Sequence, residues 1–276
     1  MIRLKLMQWL IAILMRDARV SLGMTQKAAA KAFHVSEGTI YNWERAVYHP
    51  SYKAIAKVAE VYKLGGELRF YLELILEGND FRILEAHPRL HAIALAKAEE
   101  HAGIIFKYEP HLIPGPLQTR AYHFLVLKVA ERLTELVAEQ GWVFKEDRKA
   151  RLRARQPGPE LRYLIGDSAI YHLRTLPPEV SLELVQDMLA QDALNSVSIR
   201  VINQFHPARN TQFEVYQRGG SATGPPIWVY SEIFHSSWCI EEETLVSRYH
   251  EASQAMWQIG IPVKEFLNEY CRDLLA

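Results

Sequence analysis

Cysteine is nearly absent: Cys239 and Cys271 are the only two in 276 residues. Two thiols exclude a disulfide framework and a four-cysteine zinc site. They fit a reducing compartment, and buried packing accounts for both. No apolar run reaches the roughly 20 residues that a membrane-spanning helix needs. The stretch Leu6–Met15 follows Arg3 and Lys5 in the manner of a signal peptide, but Arg16, Asp17 and Arg19 come directly after it, with no small-residue cleavage site. It is expected to be a first helix that faces a core or a dimer partner. The expectation is a cytoplasmic protein with no membrane contact. Catalytic signatures are missing too. There is no phosphate loop, no G-x-G-x-x-G and no G-x-S-x-G. His87 and His91 are four apart, with Glu85 and His101 nearby, but Pro88 between the histidines disfavours one helix through both. No enzyme activity, no cofactor and no metal site are expected.

What is present is ordinary for a globular protein: 49% apolar and 23% charged residues. The length suits one or two domains. Net charge is also absent, but the balance hides an asymmetry. Residues 1–65 hold ten Lys and Arg against four Asp and Glu, a net of +6, which leaves −6 on the remainder. A basic head on an acidic body suggests an anionic partner for the head alone.

The head reads as five short helices. Leu6–Val20 has no proline or interior glycine, and Leu22-Gly23-Met24 ends it. Thr25 is a good N-cap for an alanine-rich second helix, Gln26–Phe33. His34-Val35 is the turn, and Ser36 caps a third helix. Pro50-Ser51 starts a fourth, Tyr52–Tyr62, and Gly65-Gly66 separates it from a fifth, Leu68–Glu77. A short helix, a tight turn and a second short helix in a basic helical unit suggest a helix-turn-helix. On the third helix Ile40 and Trp43 face inward. Glu37, Gly38, Tyr41, Asn42 and Arg45 are left outward, a short polar face suited to the major groove.

The string "LGMTQKAAAKAFHVSEGTIYNWERAVYHPS" resembles the lambda-repressor-like, XRE-type helix-turn-helix over residues 10–64. The resemblance implies that Gln26, opening the second helix, contacts a phosphate. It implies base contacts from Glu37, Gly38 and Asn42, with Thr39 and Arg45 at backbone-contact positions and Ser36 and Tyr41 on the same surface. The chemistry is compatible. A helix N-terminus favours an anion at Gln26, Asn42 can pair with adenine, and Glu37 can accept from cytosine. Two positions depart from the family. Ala46 stands where it usually has glycine, and the following loop, Val47-Tyr48-His49, is not basic.

The remaining two hundred residues read as α+β. Helices are expected at His91–His101, Thr119–Glu139, Phe144–Arg155, Pro178–Ala193, Glu241–Gly260 and Val263–Leu274. Strands are expected at Ile104–Tyr108, Leu161–Ile165, Val197–Ile202, Phe213–Tyr216 and Ile227–Ser231. The strings "IIFKYEPHLIPGPLQTRAY", "RKARLRARQP" and "LRYLIGDSAIYHL" resemble the DUF5753 domain, which follows an XRE helix-turn-helix in many actinobacterial regulators. That architecture implies a transcriptional regulator and permits a small acidic partner protein or a small-molecule effector. The basic run Lys145, Arg148, Lys149, Arg151, Arg153 and Arg155 is expected to be a solvated helix face, with a second DNA contact as its competitor.

The expected architecture is therefore an all-α, lambda-repressor-like helix-turn-helix domain of five helices, residues 1–77, followed by an α+β domain, residues 86–276. The expected function is sequence-specific binding of double-stranded DNA by a homodimer, because one recognition helix reads only a few base pairs. The alternative is a protein-interaction adaptor that binds DNA weakly or not at all.

Overall fold

The computed structural model describes residues 6–77, 83–85, 88–130, 132–233 and 236–275. The first helix, α1 (Leu6–Ser21), is apolar through Met15 except at Gln8, and nine of its first ten residues are buried. A helix of that kind has to be covered all round. It packs on the head at α3 (Glu37–Glu44) and on the second domain at α6 (Pro88–His101). The apolar stretch thus faces a core, one continuous with both parts of the chain.

Around α1 the five expected helices appear. Thr25 caps α2 (Gln26–Phe33) by accepting from the Ala28 N–H, and Ser36 caps α3 by accepting from the Thr39 N–H. Ala29 and Ala30 on α2 are small enough to let α3 approach closely. A 3-10 turn, Tyr52–Ala54, leads into α4 (Ile55–Val61), and α5 (Gly66–Glu77) follows. Phe33 stands edge-on to Trp43 and to Tyr62, with centroids 5.7 and 5.0 Å away.

Beyond the head, β1 (Ile83–Glu85) precedes α6, which leads to β2 (Ile104–Glu109). Next come α7 (Arg120–Tyr122), a π segment at His123–Leu127, α8 (Lys128–Ala130) and α9 (Glu135–Ala154). The order continues β3 (Glu160–Gly166), α10 (Asp167–His172), α11 (Pro178–Asp192), β4 (Val197–Ile202), β5 (Phe213–Gln217), β6 (Trp228–Ile233) and β7 (Ser236–Ile240). The chain ends with α12 (Glu243–Ile259), β8 (Ile261–Pro262) and α13 (Val263–Tyr270). The strands form one mixed sheet in the order β1-β7-β6-β5-β2-β3-β4-β8. Only β2, β3 and β4 run parallel, joined by helical crossovers, and the flanking pairs are antiparallel. Among the described residues no helix is long and apolar enough to cross a membrane.

Side-chain alternation splits the sheet into two cores. Phe106, Tyr108, Phe213, Val215 and Val229 face α12. Ile105, Tyr163, Tyr216, Trp228 and Tyr230 belong to the larger core shared with α1 and the head. Cys239 and Cys271 are buried and unpaired, as packing alone required.

Several elements differ from the sequence expectation. The helices expected at Thr119–Glu139 and Phe144–Arg155 divide at Arg132, whose φ is +53°, and Thr134 caps α9, which then runs straight through Gly141. The cap outweighs the glycine, because one interior glycine costs only about 1 kcal/mol. Strands β1, β7 and β8 were not expected. β1 and β8 have only three and two residues, and β7 and β8 take their place from pairing with β6 and β4.

Candidate nucleic-acid interface

The outward face of α3 is built by what lies beneath it. Ile40 is fully buried and Trp43 nearly so, which fixes the rotation of the helix and leaves Glu37, Gly38, Tyr41 and Arg45 exposed, with Thr39 and Asn42 half-buried. Ser36 and Thr39 are partly committed: their hydroxyls bond to each other at 2.9 Å while Ser36 caps the helix. Arg45 donates to the Tyr41 hydroxyl at 2.9 Å and lies over its ring.

A buried polar tie locks the two helices of the motif to α1. Arg19 donates to both oxygens of Glu44, at 2.5 and 2.9 Å, and Gln26 Nε2 donates to Glu44 Oε2 at 2.8 Å. Arg19 also donates to the Met24 carbonyl. Gln26 therefore sits at the N-terminus of α2 with one amide hydrogen still free for an anion. Sequence reasoning missed Glu44. Its signal was available: a carboxylate next to buried Trp43, with an arginine on the first helix.

The Ala46 departure has a definite structural outcome. Ala46 adopts φ +56°, and the Ala46 and Val47 N–H groups bond back to the Trp43 and Asn42 carbonyls. This is the left-handed helix ending in which glycine is favoured. An alanine there is strained by about 1 kcal/mol. Ala46→Gly is expected to raise the stability of the protein by up to about 1 kcal/mol, read from urea unfolding. A loss of stability would show that the alanine methyl packs usefully.

Gln26, Tyr41, Glu44 and Arg45 line one cleft of about 280 Å³, with Arg16 from α1 and the turn after β5 opposite them. Arg16 and that turn carried no sequence signal.

The basic run of α9 is mostly paired rather than solvated, and Arg153 is the one of its six cations that is exposed with no hydrogen-bond or ion-pair partner among the described residues. Arg148 makes a two-pronged pair with Glu99 at 2.8 and 2.6 Å. Lys149 is buried and donates to the Gln118 carbonyl, and Lys145 reaches Gln118 and His123. Arg151 pairs with Glu100 and Asp147, and Arg155 donates to the Glu99 carbonyl. Arg148 and Arg151 turn toward α6 because it presents Glu99 and Glu100, while Arg153 stays exposed.

That pairing walls a cavity of about 300 Å³ between α6, α9 and the sheet, beside the Gly115-Pro116 turn. Lys107, deep in its wall, donates to Glu99, Glu214 and the Tyr216 hydroxyl at 2.9, 2.7 and 3.0 Å, which uses all three ammonium hydrogens. Burial opposes ionisation of Glu99, but the Lys107 and Arg148 charges overcome it and hold its pKa at about 2. Glu109 lines the same cavity without a hydrogen-bond or ion-pair partner among the described residues. Burial, and then the Glu214 and Glu232 carboxylates, push its pKa well above the usual range.

Among the described residues one group has metal-ligand spacing: Asp17, Glu100 and His101. The Lys97 ammonium lies 2.7 Å from Asp17 and 2.5 Å from Glu100, which already supplies the cation. His87 and the His91 side chain lie outside the described residues.

The fold and site define a helix-turn-helix protein with a mixed-sheet second domain. Family comparison agrees over both parts: the XRE-type Helix-turn-helix model matches residues 15–67, and the Domain of unknown function (DUF5753) model matches residues 93–266. The chain belongs to the DUF5753 family. No curated protein matches it.

Proposed function

We propose that this protein is a sequence-specific, DNA-binding transcriptional regulator. It reads the major groove through α3 and carries a second domain that binds an effector. The observation that carries the reading is the short polar face of α3, held rigidly by Ile40, Trp43 and the Arg19–Glu44–Gln26 tie within residues 1–65, whose net charge is +6. It acts by binding, without catalysis or a cofactor, in the cytoplasm beside the DNA. Six exposed apolar side chains on consecutive helical segments, Leu125, Val129, Leu136, Val137, Val143 and Phe144, support a homodimer. A monomeric mass in sedimentation equilibrium at micromolar concentration would remove that part.

The effector reading draws support from the cavity and its connections. A small molecule fits its volume better than a small acidic partner protein does. Two elements that wall it also touch the head. Helix α6 carries Glu99 in the cavity wall, while its Lys97 and His101 bond to Asp17 of α1. Strand β5 carries Glu214 into the cavity and ends beside the turn that lines the cleft at α3. A ligand that shifts either element can bias the head.

The test is an operator selected from random duplexes by the full-length protein. Asn42→Ala is expected to cut discrimination between operator and variant sites by about 1–3 kcal/mol, or roughly five- to 150-fold. Gln26→Ala is expected to weaken all duplexes about equally. If Asn42→Ala changes neither affinity nor preference, α3 does not read bases through this face. Absence of salt-dependent duplex binding would favour the adaptor alternative.

A further inference from the structure

The cleft beside α3 has walls from both domains. The head supplies Arg16, Gln26, Tyr41, Glu44 and Arg45, and the turn after β5 supplies Arg218 and residues 222–224. Glu44 is the only carboxylate among these lining residues, and it is already occupied by Arg19 and Gln26. Three arginines therefore line one cleft with no free carboxylate among its lining residues to balance them. Arg45 uses one nitrogen on the Tyr41 hydroxyl, and Arg218 uses Nε on the Gly224 carbonyl. Arg16 is half-buried and has no partner among the described residues. The remaining donors suit an oxyanion that can accept several N–H groups at once, which is the property of a phosphodiester.

The turn is fixed in place. Trp9 Nε1 on α1 donates to the Thr223 carbonyl at 2.9 Å, and the Thr223 hydroxyl bonds to His101 Nδ1 on α6 at 2.9 Å. Its backbone is packed so tightly that a β-carbon on Gly103 would lie 2.4 Å from the Arg218 carbonyl oxygen, and one on Gly224 would lie 2.7 Å from Arg218 Cα. Arg218 is itself exposed on this rigid support. A cation held so close to the recognition helix costs little ordering entropy when it meets its ligand.

We infer that Arg218 of the DUF5753 domain and Arg16 of α1 form a clamp for the DNA phosphate backbone next to the groove that α3 enters. The clamp takes the phosphodiester class of ligand and carries no sequence preference of its own. It rests on the DNA-binding reading given above. It assigns the second domain a direct part in holding the duplex, which the helix-turn-helix alone does not supply.

The experiment uses full-length protein, the selected operator and an unrelated duplex, with affinity measured between about 50 and 200 mM salt. Arg218→Ala and Arg16→Ala are each expected to weaken both duplexes by the same factor. Each should flatten the plot of log affinity against log salt by about one phosphate, so that about threefold less affinity is lost across that range. Arg218→Lys keeps the charge and is expected to retain the slope, and matching thermal melts show that the variants are folded. Unchanged slopes in both alanine variants overturn the clamp. A rise in affinity in Arg218→Ala also overturns it and makes the turn an obstruction to DNA. If the unaltered protein binds neither duplex, the DNA-binding reading itself fails, a result distinct from binding with a slope indifferent to Arg218.

Discussion

Replacing Glu99 by alanine is expected to destabilise the protein by about 3–5 kcal/mol, the range for a buried ion pair that loses one partner. The cost comes from what is left behind. Lys107 is 2% exposed and Glu99 supplies one of its three acceptors, while Arg148 has both prongs of its pair on the same carboxylate. Removing Glu99 strands one partly buried guanidinium and underserves one buried ammonium. Glu99→Gln keeps the shape and loses the charge, so it should fall between the two. The pH dependence has a definite sign. Glu99 has its pKa lowered from 4.5 to about 2 in the folded protein. A depressed carboxylate contributes stability that is fully present above its unfolded pKa and is lost as pH falls through the folded value. The stability gap between the unaltered protein and Glu99→Gln should therefore be full at pH 7 and shrink between about pH 5 and pH 2. Urea unfolding at several pH values measures it. A gap below 1 kcal/mol at pH 7, or one that does not shrink in acid, would mean that Glu99 is solvated rather than paired.

Glu44→Ala is expected to cost a similar amount, about 3–5 kcal/mol, and to abolish binding to every duplex. The side chains of Glu44 and Arg19 are 4% and 12% exposed, so the alanine leaves a nearly buried guanidinium without its anion. The same change frees Gln26 and cuts the link between α1, α2 and α3. Since α1 lies in one continuous core with both domains, the loss should register in a single unfolding transition. Two separate transitions, with only the first moved, would mean that the head melts independently. Retention of normal duplex affinity by a folded Glu44→Ala would show that the tie is not needed to present α3.

The sequence was most legible where the cause is local. Thr25 and Ser36 marked the starts of α2 and α3, and both cap them through side-chain oxygens. Ile40 and Trp43 were three apart and turned inward together. Ala46 departs from the glycine usual in the family, and it takes the left-handed conformation at the predicted helix end. Legibility failed for short strands and for charges. Ile261–Pro262 is too brief to carry a pattern, and the basic run of α9 looked the same whether its partners were water, phosphate or carboxylate.

By itself, then, the sequence determined the helix-turn-helix, the order of the main elements and the polar face of α3. Caps, turns and apolar periodicity act within a few residues and need no distant partner. Tertiary structure alone decided that Glu99 pairs with Lys107 and Arg148, that Glu44 binds Arg19 and Gln26, and that a turn near residue 218 stands beside α3. These pairs join residues 8 to 49 positions apart, and the cleft joins residues more than 170 apart. The partner of a charge is set by which surfaces the folded core brings together, and a linear pattern of charges does not encode that.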